Sequence, residues 1–511
     1  MPLGRSRSIA LVGVGGYPVQ VEADLADGLP AFTLVGLPDT SLTESRDRVR
    51  AALSNAGCPL PSRRITVNLS PADQPKRGSS FDLAVASALL AACDKVRPQS
   101  VSGWVHLGEL GLDGSIRPVR GVLPAVAVAV RAGHPRVVVA RANAAEARLV
   151  PGAEVIAVAS LADVIALHTG HPPAQPQAPQ VEGAVPVPRR AEPDLADVVG
   201  QDLARHAVEV AAAGGHHLLM IGPPGAGKTM LAARLPGLLP DLDDTAAMEV
   251  TAVHSLSGTL DPSAGLIRRP PFEDPHHTAT TAALVGGGNG LPRPGAASRA
   301  HRGVLFLDEA AEFQTTVLEA LRQPLEQGLL SLSRVKGSVT YPARFQLVMA
   351  ANPCPCGRSW GKGMECSCTP AARRRYLTRL SGPLRDRIDL QIAVNGVTRA
   401  DLLTRSEGET SEQVRARVVE ARRAQRARLA ALGCALNGEV SGRVLRGVLR
   451  LPARVTMPLD RALDRGDISV RGYDRLLRVS WTLADLGGRD RPCAGDVEQA
   501  VLMRRGDRVA A

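Results

Sequence analysis

The sequence has few lysines and lacks any long apolar segment. Only five of its 511 residues are lysine, and no apolar run reaches the roughly 18 residues that indicate a membrane-spanning helix. The apolar stretch near the start is too short and too glycine-rich for a signal peptide. We therefore expect a cytoplasmic protein without a membrane partner. Its length suffices for two or three domains with cores of their own.

Positive charge is concentrated in the C-terminal part of the chain. Residues 369–511 contain 28 arginines, no lysine and 17 acidic residues, whereas the remainder is balanced, so the whole net charge of +11 lies here. Such a localised excess is expected of a surface that binds a phosphate polyanion such as DNA. The alternative, which the scarcity of lysine favours, is an arginine-rich composition on solvated helices. Six arginines crowd one predicted helix over more than one face: Arg415, Arg417, Arg422, Arg423, Arg426 and Arg428.

A complete phosphate-binding loop lies between an apolar segment typical of a buried strand, 217–221, and a helical segment, 230–235. Its glycines let successive backbone N–H groups surround phosphate oxygens, and the helix N-terminus adds partial positive charge. Lys228 is expected to reach the β- and γ-phosphates, and Thr229 to hold Mg²⁺ through its hydroxyl. We therefore predict that the chain binds ATP. The predicted loop residues are Gly222, Pro223, Pro224, Gly225, Ala226, Gly227, Lys228 and Thr229.

Two more apolar segments end in polar residues suited to the same chemistry. Residues 304–307 precede Asp308 and Glu309, and residues 345–351 precede Asn352. Asp308 is predicted to order the Mg²⁺ shell and Glu309 to polarise the hydrolytic water. Asn352 is predicted to hold that water against the γ-phosphate, the role called sensor 1. The alternative for the two acids is the ordinary acidic first turn of a helix.

Four of the eight cysteines form two C-x-C pairs separated by nine residues: Cys354, Cys356, Cys366 and Cys368. Four thiolates could bind Zn²⁺ tetrahedrally and fix the loop after Asn352. The spacing is tighter than the usual C-x₂-C, so free thiols remain the alternative. Disulfides are not expected in a cytosolic protein.

The order of these parts, completed by residues 381–390, resembles an AAA+ ATPase of the helix-2-insert group, which contains magnesium-chelatase motor subunits and MCM helicases. The resemblance implies that Arg387 is an arginine finger acting on the ATP of a neighbouring subunit, a contribution of about 10³–10⁵ in rate. It therefore implies a ring, expected to be a hexamer. Arg471, in the string 469–473, resembles the sensor 2 arginine that also contacts phosphate. For both, the alternative is a solvated or paired surface residue.

Three further strings narrow the resemblance to the YifB/ComM family of magnesium-chelatase-like bacterial ATPases, over residues 8 to 503. They are residues 274–278 with 284–288, an alternating hairpin pattern at 331–342, and residues 36–40 with 68–73. One departure is that Glu273 and Asp274 stand where the family usually has arginine before Pro-His-His. Two acids there place a DNA- or nucleotide-contact role for that segment in doubt.

The resemblance predicts an α/β protein of three parts joined by one linker. Residues 1–170 resemble the Lon-peptidase-like (S5-like) α/β domain, with Ser80 at the position of Lon's catalytic serine. Lon's partner lysine is replaced by Leu123, which cannot accept a proton, so we expect no protease activity. The other predicted parts are a proline-rich linker at 171–193, an AAA+ core with a parallel sheet at 194–392, and a helical lid at 393–511.

The resemblance to ComM implies a DNA motor, a helicase or branch-migration enzyme of recombination or natural transformation. Hairpin residues Arg334 and Lys336 would then contact DNA in a pore, although they could equally be turn charges. Two alternatives remain. One is a chelatase-type motor for metal insertion, which the Lon-like domain argues against, and the other is an ATP-gated scaffold.

Overall fold

The computed structural model describes residues 3–37, 39–74, 76, 78–171, 193–288, 292–334, 337–360, 366–380, 382–399, 403 and 408–504. It divides into two compact units. The N-terminal unit is residues 1–188 with 247–267, and the second unit is residues 189–246 with 268–511. The predicted linker, 171–193, falls almost wholly outside the described residues.

The N-terminal unit is built on a seven-stranded mixed sheet in the order β3-β4-β2-β1-β5-β8-β9. Its strands have the alternation of a half-buried sheet: Val19, Val21 and Ala23 are fully buried, with exposed or half-buried residues between them. A small separate ladder pairs β6 with β7. The strands are β1 (Gly4–Val12), β2 (Gly15–Ala26), β3 (Ala31–Val35), β4 (Arg64–Ser70), β5 (Val105–Leu107), β6 (Glu109–Leu110), β7 (Ile116–Arg117), β8 (Arg136–Ala140) and β9 (Glu154–Val158).

The helices of this unit surround one that is buried along its whole length. All eleven residues of α2 are buried, including Asp82, whose carboxylate pairs with Arg48 of α1 at 2.7 Å. That ion pair makes burial of the charge tolerable. The helices are α1 (Thr40–Asn55), α2 (Asp82–Ala92), α3 (Pro98–Ser102), α4 (Val122–Arg131), α5 (Ala144–Ala147) and α6 (Leu161–Thr169).

A segment from the middle of the chain belongs to the N-terminal unit. Residues 247–267 contain most of helix α9 (Asp244–Ser257), and Met248, Ala252 and Leu266 pack into one of the unit's apolar clusters. Ser255 donates a hydrogen bond to the buried carboxylate of Glu146 in α5. The sequence-based division treated 194–392 as one continuous core and contained no signal for this insertion.

The second unit is built on a five-stranded sheet whose strands are all parallel, in the order β11-β14-β17-β10-β18. Strands β10, β14 and β17 are buried at every residue, which is why they read as continuous apolar runs. The strands of this unit are β10 (Leu218–Ile221), β11 (Phe272–Glu273), β12 (Gly286–Gly287), β13 (Arg293–Pro294), β14 (Val304–Leu307), β15 (Leu329–Arg334), β16 (Gly337–Pro342), β17 (Gln346–Ala351) and β18 (Leu390–Ala393).

Helices pack on both faces of this sheet and follow it as a helical C-terminal part. They are α7 (Asp202–Gly214), α8 (Lys228–Leu238), α10 (Thr281–Val285), α11 (Ala296–Arg299), α12 (Thr315–Glu319), α13 (Arg322–Gln327), α14 (Pro370–Thr378), α15 (Gly382–Arg385), α16 (Ser411–Leu429), α17 (Gly442–Arg446), α18 (Ala453–Asp464), α19 (Val470–Leu486) and α20 (Ala494–Leu502). The predicted α/β class, with its parallel-sheet core and helical C-terminal part, is confirmed.

Helix α16 shows how the C-terminal part docks on the core. Val414, Val418 and Ala421 are spaced four and three residues apart, so they share one face, and all are buried in a cluster with residues of α7 and α8. Thr410 caps its N-terminus by accepting from the backbone of Gln413, which caps it in return.

Candidate nucleotide-binding and catalytic site

The predicted catalytic residues meet because three neighbouring strands end at the same end of the parallel sheet. The phosphate-binding loop follows β10, Asn352 follows β17, and Asp308 follows β14. Carboxyl ends of parallel strands meet at one end of a sheet, where ligands of open α/β sheets bind. The site therefore follows directly from the strand order.

The loop has the backbone form that phosphate binding requires. Gly225 and Gly227 have φ of 75° and 85°, a left-handed conformation that favours glycine. Gly227 is also the N-cap of α8, so the helix starts with its free N–H groups at the loop.

Lys228 is buried beside the loop and held by three oxygens. Its ammonium donates to the carbonyls of Gly222 and Pro223, at 2.7 and 2.9 Å, and to Oδ1 of Asn352 at 3.2 Å. Burial lowers the pKa of Lys228, and the nearby carboxylates of Asp308 and Glu309 oppose that shift. This contact joins Asn352, the predicted sensor 1 residue, to the lysine predicted to bind the γ-phosphate.

Thr229 and the acidic pair form an oxygen-rich group next to this lysine. The Thr229 hydroxyl donates to Oδ2 of Asp308 at 2.6 Å, and Oδ1 of Asp308 accepts from the Glu309 amide at 2.8 Å. A hydroxyl and a carboxylate are hard ligands of the kind Mg²⁺ prefers, so these residues fit that ion. Glu309 has a left-handed backbone, φ 49°, and an exposed carboxylate. The pair thus ends a strand and does not form the first turn of an α-helix.

His277 is a site residue that sequence reasoning did not identify. Its Nδ1 lies 3.0 Å from Oε2 of Glu309, the predicted catalytic base. The signal was present, because the Pro-His-His string was noted, but its link to Glu309 depends on β11 lying beside β14.

Glu273, one of the two acids that depart from the family pattern, forms an ion pair within its own unit. Glu273 accepts a bidentate pair from Arg299, with Nη2 to Oε2 at 2.7 Å. That carboxylate therefore neutralises an arginine of its own unit, beside His277.

Gln201 connects the loop to the outer strand of the sheet. Its side-chain amide donates to the carbonyl of Ala226 at 3.1 Å and to the carbonyl of Asn395, which follows β18.

The two predicted arginines lie at the other end of the sheet. Arg387 precedes β18, whose first residue, Leu390, pairs with Leu218 at the start of β10. The length of a four-residue strand, roughly 10–13 Å, therefore separates it from the loop that follows β10. On α19, Arg475 pairs with Asp389 at 2.7 Å, which places Arg471, one turn earlier, near the same end.

Arg387 is not solvated in the single chain. It is 8% exposed, pairs with Glu326 of α13 and donates to the carbonyl of Pro383. Burial, together with the charges of Arg322, Arg471 and Arg475, lowers the pKa of Arg387. Its assignment as an arginine finger and that of Arg471 as sensor 2 stay predictions.

The four clustered cysteines come together in space. Cys354, Cys356 and Cys366 have Sγ–Sγ distances of 3.4 to 3.7 Å, and all four sulfurs, with that of Cys368, lie within 4.8 Å of one another. Tetrahedral Zn–S bonds of about 2.3 Å require sulfur separations of about 3.8 Å. The Arg358 N–H and the Cys354 thiol lower the pKa of Cys356 to about 6. The donor set therefore fits zinc.

The predicted hairpin is present in the structure. Strands β15 and β16 pair antiparallel from Leu329↔Pro342 to Arg334↔Gly337, with Leu330 and Val339 buried. Lys336 and the side chain of Arg334 lie outside the described residues.

Most arginines of α16 serve the fold. Arg417 pairs with Glu209 and Glu409, Arg428 pairs with Asp485, and Arg422 donates to the carbonyl of Ala212. Arg423 and Arg426 are the two of the six named arginines that are exposed. These internal partners argue against a DNA-binding stripe on this helix, and they also show that most of its named arginines are not simply solvated.

Comparisons with known proteins agree with this architecture. The family model described as magnesium chelatase, subunit ChlI, matches residues 194–402, and two related ChlI models match 21–143 and 408–504. An uncharacterized protein of Mycobacterium tuberculosis is 52% identical over 99% of each chain. YifB of Escherichia coli is 40% identical over 100% of this chain and 98% of its own, and the competence protein ComM of Haemophilus influenzae is 43% identical over 96% and 95%.

The chain belongs to the YifB/ComM family of magnesium-chelatase-like AAA+ proteins. A partial match, 32% identity over 149 residues, is to Lon protease 2 of Bacillus subtilis and covers 25% of this chain and 24% of that one. The N-terminal unit has the Lon-peptidase-like α/β fold, and the second unit has the AAA+ core with a helical part after it. Leu123, predicted to stand at the position of Lon's lysine, is completely buried. Among the described residues, no helix is both long and apolar enough to cross a membrane.

Proposed function

We propose that this protein is an ATP-hydrolysing ring motor that acts on DNA, as a helicase or branch-migration enzyme in homologous recombination or natural transformation. The ATPase part of this proposal is supported by two hydrogen bonds at the carboxyl end of the parallel sheet. Lys228 donates to Asn352, and Thr229 donates to Asp308. Lys228 and the loop amides would bind the phosphates of ATP, and Thr229 with Asp308 would hold Mg²⁺, which neutralises phosphate charge.

Glu309 would act as the base that takes a proton from the attacking water, and Asn352 would position that water. The separation between Arg387 and the loop of its own chain supports action on a neighbour's ATP. By family resemblance the ring is proposed to be a hexamer, in which Arg387 would exchange Glu326 for the γ-phosphate of the ATP bound to the neighbouring subunit.

The DNA part is supported by three observations. ComM, a competence protein, is 43% identical to this chain over nearly its whole length. A hairpin, β15–β16, directly precedes the strand that leads to Asn352. The charge excess of residues 369–511 includes exposed Arg374 and Arg375 on α14. Because β17 connects this hairpin to Asn352, ATP-driven movement of Asn352 would be transmitted to the hairpin.

The first test is the ATPase rate of the purified protein with and without forked or single-stranded DNA, with Glu309→Gln as the blank. Stimulation of severalfold, lost at high salt because phosphate contacts are screened, is expected. Strand displacement on the same fork then separates a motor from a scaffold. An ATPase rate indifferent to DNA would contradict the DNA proposal.

A second candidate is a chelatase-type motor, favoured by the magnesium-chelatase description of the matching family models. It would require a separate catalytic subunit and no DNA. Insertion of Mg²⁺ into a porphyrin, assayed with such a subunit, would select it.

The four clustered cysteines, Cys354, Cys356, Cys366 and Cys368, are proposed to hold one structural Zn²⁺. Their sulfur separations support this assignment. Metal analysis of the purified protein should find one zinc per chain, falling to near zero in Cys366→Ser but not in Cys493→Ser, whose exposed thiol lies outside the cluster.

A further inference from the structure

The segment between the first cysteine pair and Trp360 lies directly against the phosphate-binding loop. Gly357 is buried, and a Cβ built on it would lie 2.5 Å from Cγ and 2.6 Å from Cδ of Pro224. Real Cβ atoms do not approach other atoms this closely, so the segment and the loop fit together only because residue 357 has no side chain. Its φ of +76° also favours glycine.

A second connection reaches the loop through hydrogen bonds. Trp360 Nε1 donates to Oδ1 of Asn395 at 3.1 Å, and the carbonyl of Asn395 accepts from Gln201. The same Gln201 amide donates to the carbonyl of Ala226 in the loop at 3.1 Å. The cysteine segment is thus linked to both sides of the loop, at Pro224 and at Ala226.

A third connection is along the chain. Asn352, which accepts from Lys228, lies only two residues before the buried Cys354. A displacement of Cys354 would therefore move the amide that touches the loop lysine.

Within its described residues, this segment is held in part through the cysteines themselves. The Ser359 amide donates to Sγ of Cys354 at 3.4 Å, and Arg373 donates to Oγ of Ser359 at 3.2 Å. Thiols are weak donors and acceptors. Bonds from four thiolates to one metal ion would hold the segment far more firmly, because metal binding free energy becomes folding free energy.

We propose that the metal centre at Cys354, Cys356, Cys366 and Cys368 positions the phosphate-binding loop, so that its occupancy controls the affinity of the protein for ATP. The inference rests on the zinc site and the ATP site proposed above. It assigns the centre a regulatory role: a chain without the metal keeps its catalytic residues but binds nucleotide poorly.

The test is an ATP titration of the full-length protein by a fluorescent ATP analogue, in three states: as purified, stripped with a zinc-selective chelator, and reconstituted with Zn²⁺ alone. Magnesium is kept in excess throughout. Stripping should weaken binding at least tenfold, and reconstitution should restore it. Unchanged affinity in stripped protein that has lost its zinc would overturn this inference while leaving the zinc site intact.

The other failures are distinguishable. A protein that neither contains nor takes up zinc overturns both the site and the inference. A protein that contains zinc but binds no ATP in any state overturns the proposed function.

A substitution that spares all four cysteines tests the contact itself. Gly357→Ala should retain one zinc per chain yet lose ATP affinity by about tenfold or more, because its Cβ displaces Pro224. Gly433→Ala is the matched control: its φ is +69°, but nothing lies within 4 Å of its Cβ position, so affinity should stay within about twofold. Wild-type affinity in zinc-loaded Gly357→Ala would refute the role of the contact.

Discussion

The two ends of the parallel sheet in the second unit differ in completeness. At the carboxyl end, Lys228, Thr229, Asp308 and Asn352 already contact one another in the single chain. At the amino end, Arg387 is paired with Glu326 and lies about one strand length from the phosphate-binding loop of its own chain. One end is an assembled half-site, and the other holds a group whose predicted partner lies in another subunit.

A buried carboxylate holds several elements together at the amino end. Asp389 is 2% exposed and receives Arg475 at 2.7 Å, the His217 amide at 3.2 Å and His216 at 3.6 Å. Burial alone would raise the pKa of Asp389, but Arg475 and His216 outweigh it and lower the pKa well below the usual value. A buried carboxylate thus joins the segment of Arg387 to helix α19, which carries Arg471.

The largest expected effect comes from placing a substitution at the amino end in one protein and a substitution at the carboxyl end in another, and then measuring the ATPase rate of each alone and of their mixture. Arg387→Ala should lower the ATPase rate by about 10³–10⁵ and Lys228→Ala should abolish it. Mixed in equal amounts, the two inactive proteins should recover roughly a quarter of the wild-type rate. In a ring that contains both variants, about one interface in four combines an intact loop from one subunit with an intact arginine from its neighbour. Phosphate release measured across mixing ratios checks this.

The matched control is a mixture of two variants that are both defective at the carboxyl end. Lys228→Ala with Glu309→Gln should stay inactive at every ratio, because no interface then combines an intact loop with an intact base. Recovery in this control, or none in the first mixture, would contradict the assignment of the two ends to different subunits.

The next effect concerns the carboxyl end alone. Glu309→Gln should lower turnover by about 10²–10⁴, the usual contribution of a general base, with little change in ATP affinity. The amide keeps the size and polarity of the side chain but cannot accept the proton. Turnover and nucleotide affinity measured on one preparation separate the two effects, and a parallel loss of affinity would contradict a purely catalytic role.

At the amino end the expected effect is on stability. Asp389→Asn leaves Arg475 buried without its carboxylate, which costs about 3–5 kcal/mol. Glu420→Gln, in the exposed 3.9 Å pair with Arg423, should cost less than about 1 kcal/mol. Urea unfolding followed by circular dichroism compares them.

The sign of the pH effect at Asp389 follows from its lowered pKa. The carboxylate contributes stability above the unfolded pKa, about 3.9, and that contribution is lost as pH falls toward the folded value. The stability difference between wild type and Asp389→Asn should therefore be complete near neutrality and shrink only below about pH 4. A difference that already shrinks well above about pH 4 would contradict the lowered pKa of Asp389.

The carboxyl end was largely predictable from sequence because each of its residues directly follows a buried strand. Apolar runs identified β10, β14 and β17, and parallel strands bring the residues after them together. The loop, the acidic pair and Asn352 needed no knowledge of side-chain packing. The hairpin of β15 and β16 was also predictable, in its case from the alternation of its residues alone.

The remaining features depend on contacts between distant parts of the chain. His277 reaches Glu309 only because β11 is the neighbour of β14, and two-residue strands leave no periodic signal. Placement of residues 247–267 in the N-terminal unit depends on the apolar contacts of Met248, Ala252 and Leu266 and on the hydrogen bond from Ser255 to Glu146. Pairing of Arg387 with Glu326 has no local signature at all.

The smallest expected effect is that of substituting His277. This substitution tests whether the contact between His277 and Glu309 already orients the predicted catalytic base in the single chain. The His277–Glu309 contact is partly exposed and contributes about 1 kcal/mol or less, so His277→Ala should lower turnover by no more than about fivefold. Because the contact orients Glu309 and touches no loop residue, nucleotide affinity should not change. His276→Ala is the control, since its Nδ1 bonds Thr278 and not the base. If both variants behave alike, the histidine pair only supports the local fold, and Glu309 is oriented by its own left-handed backbone.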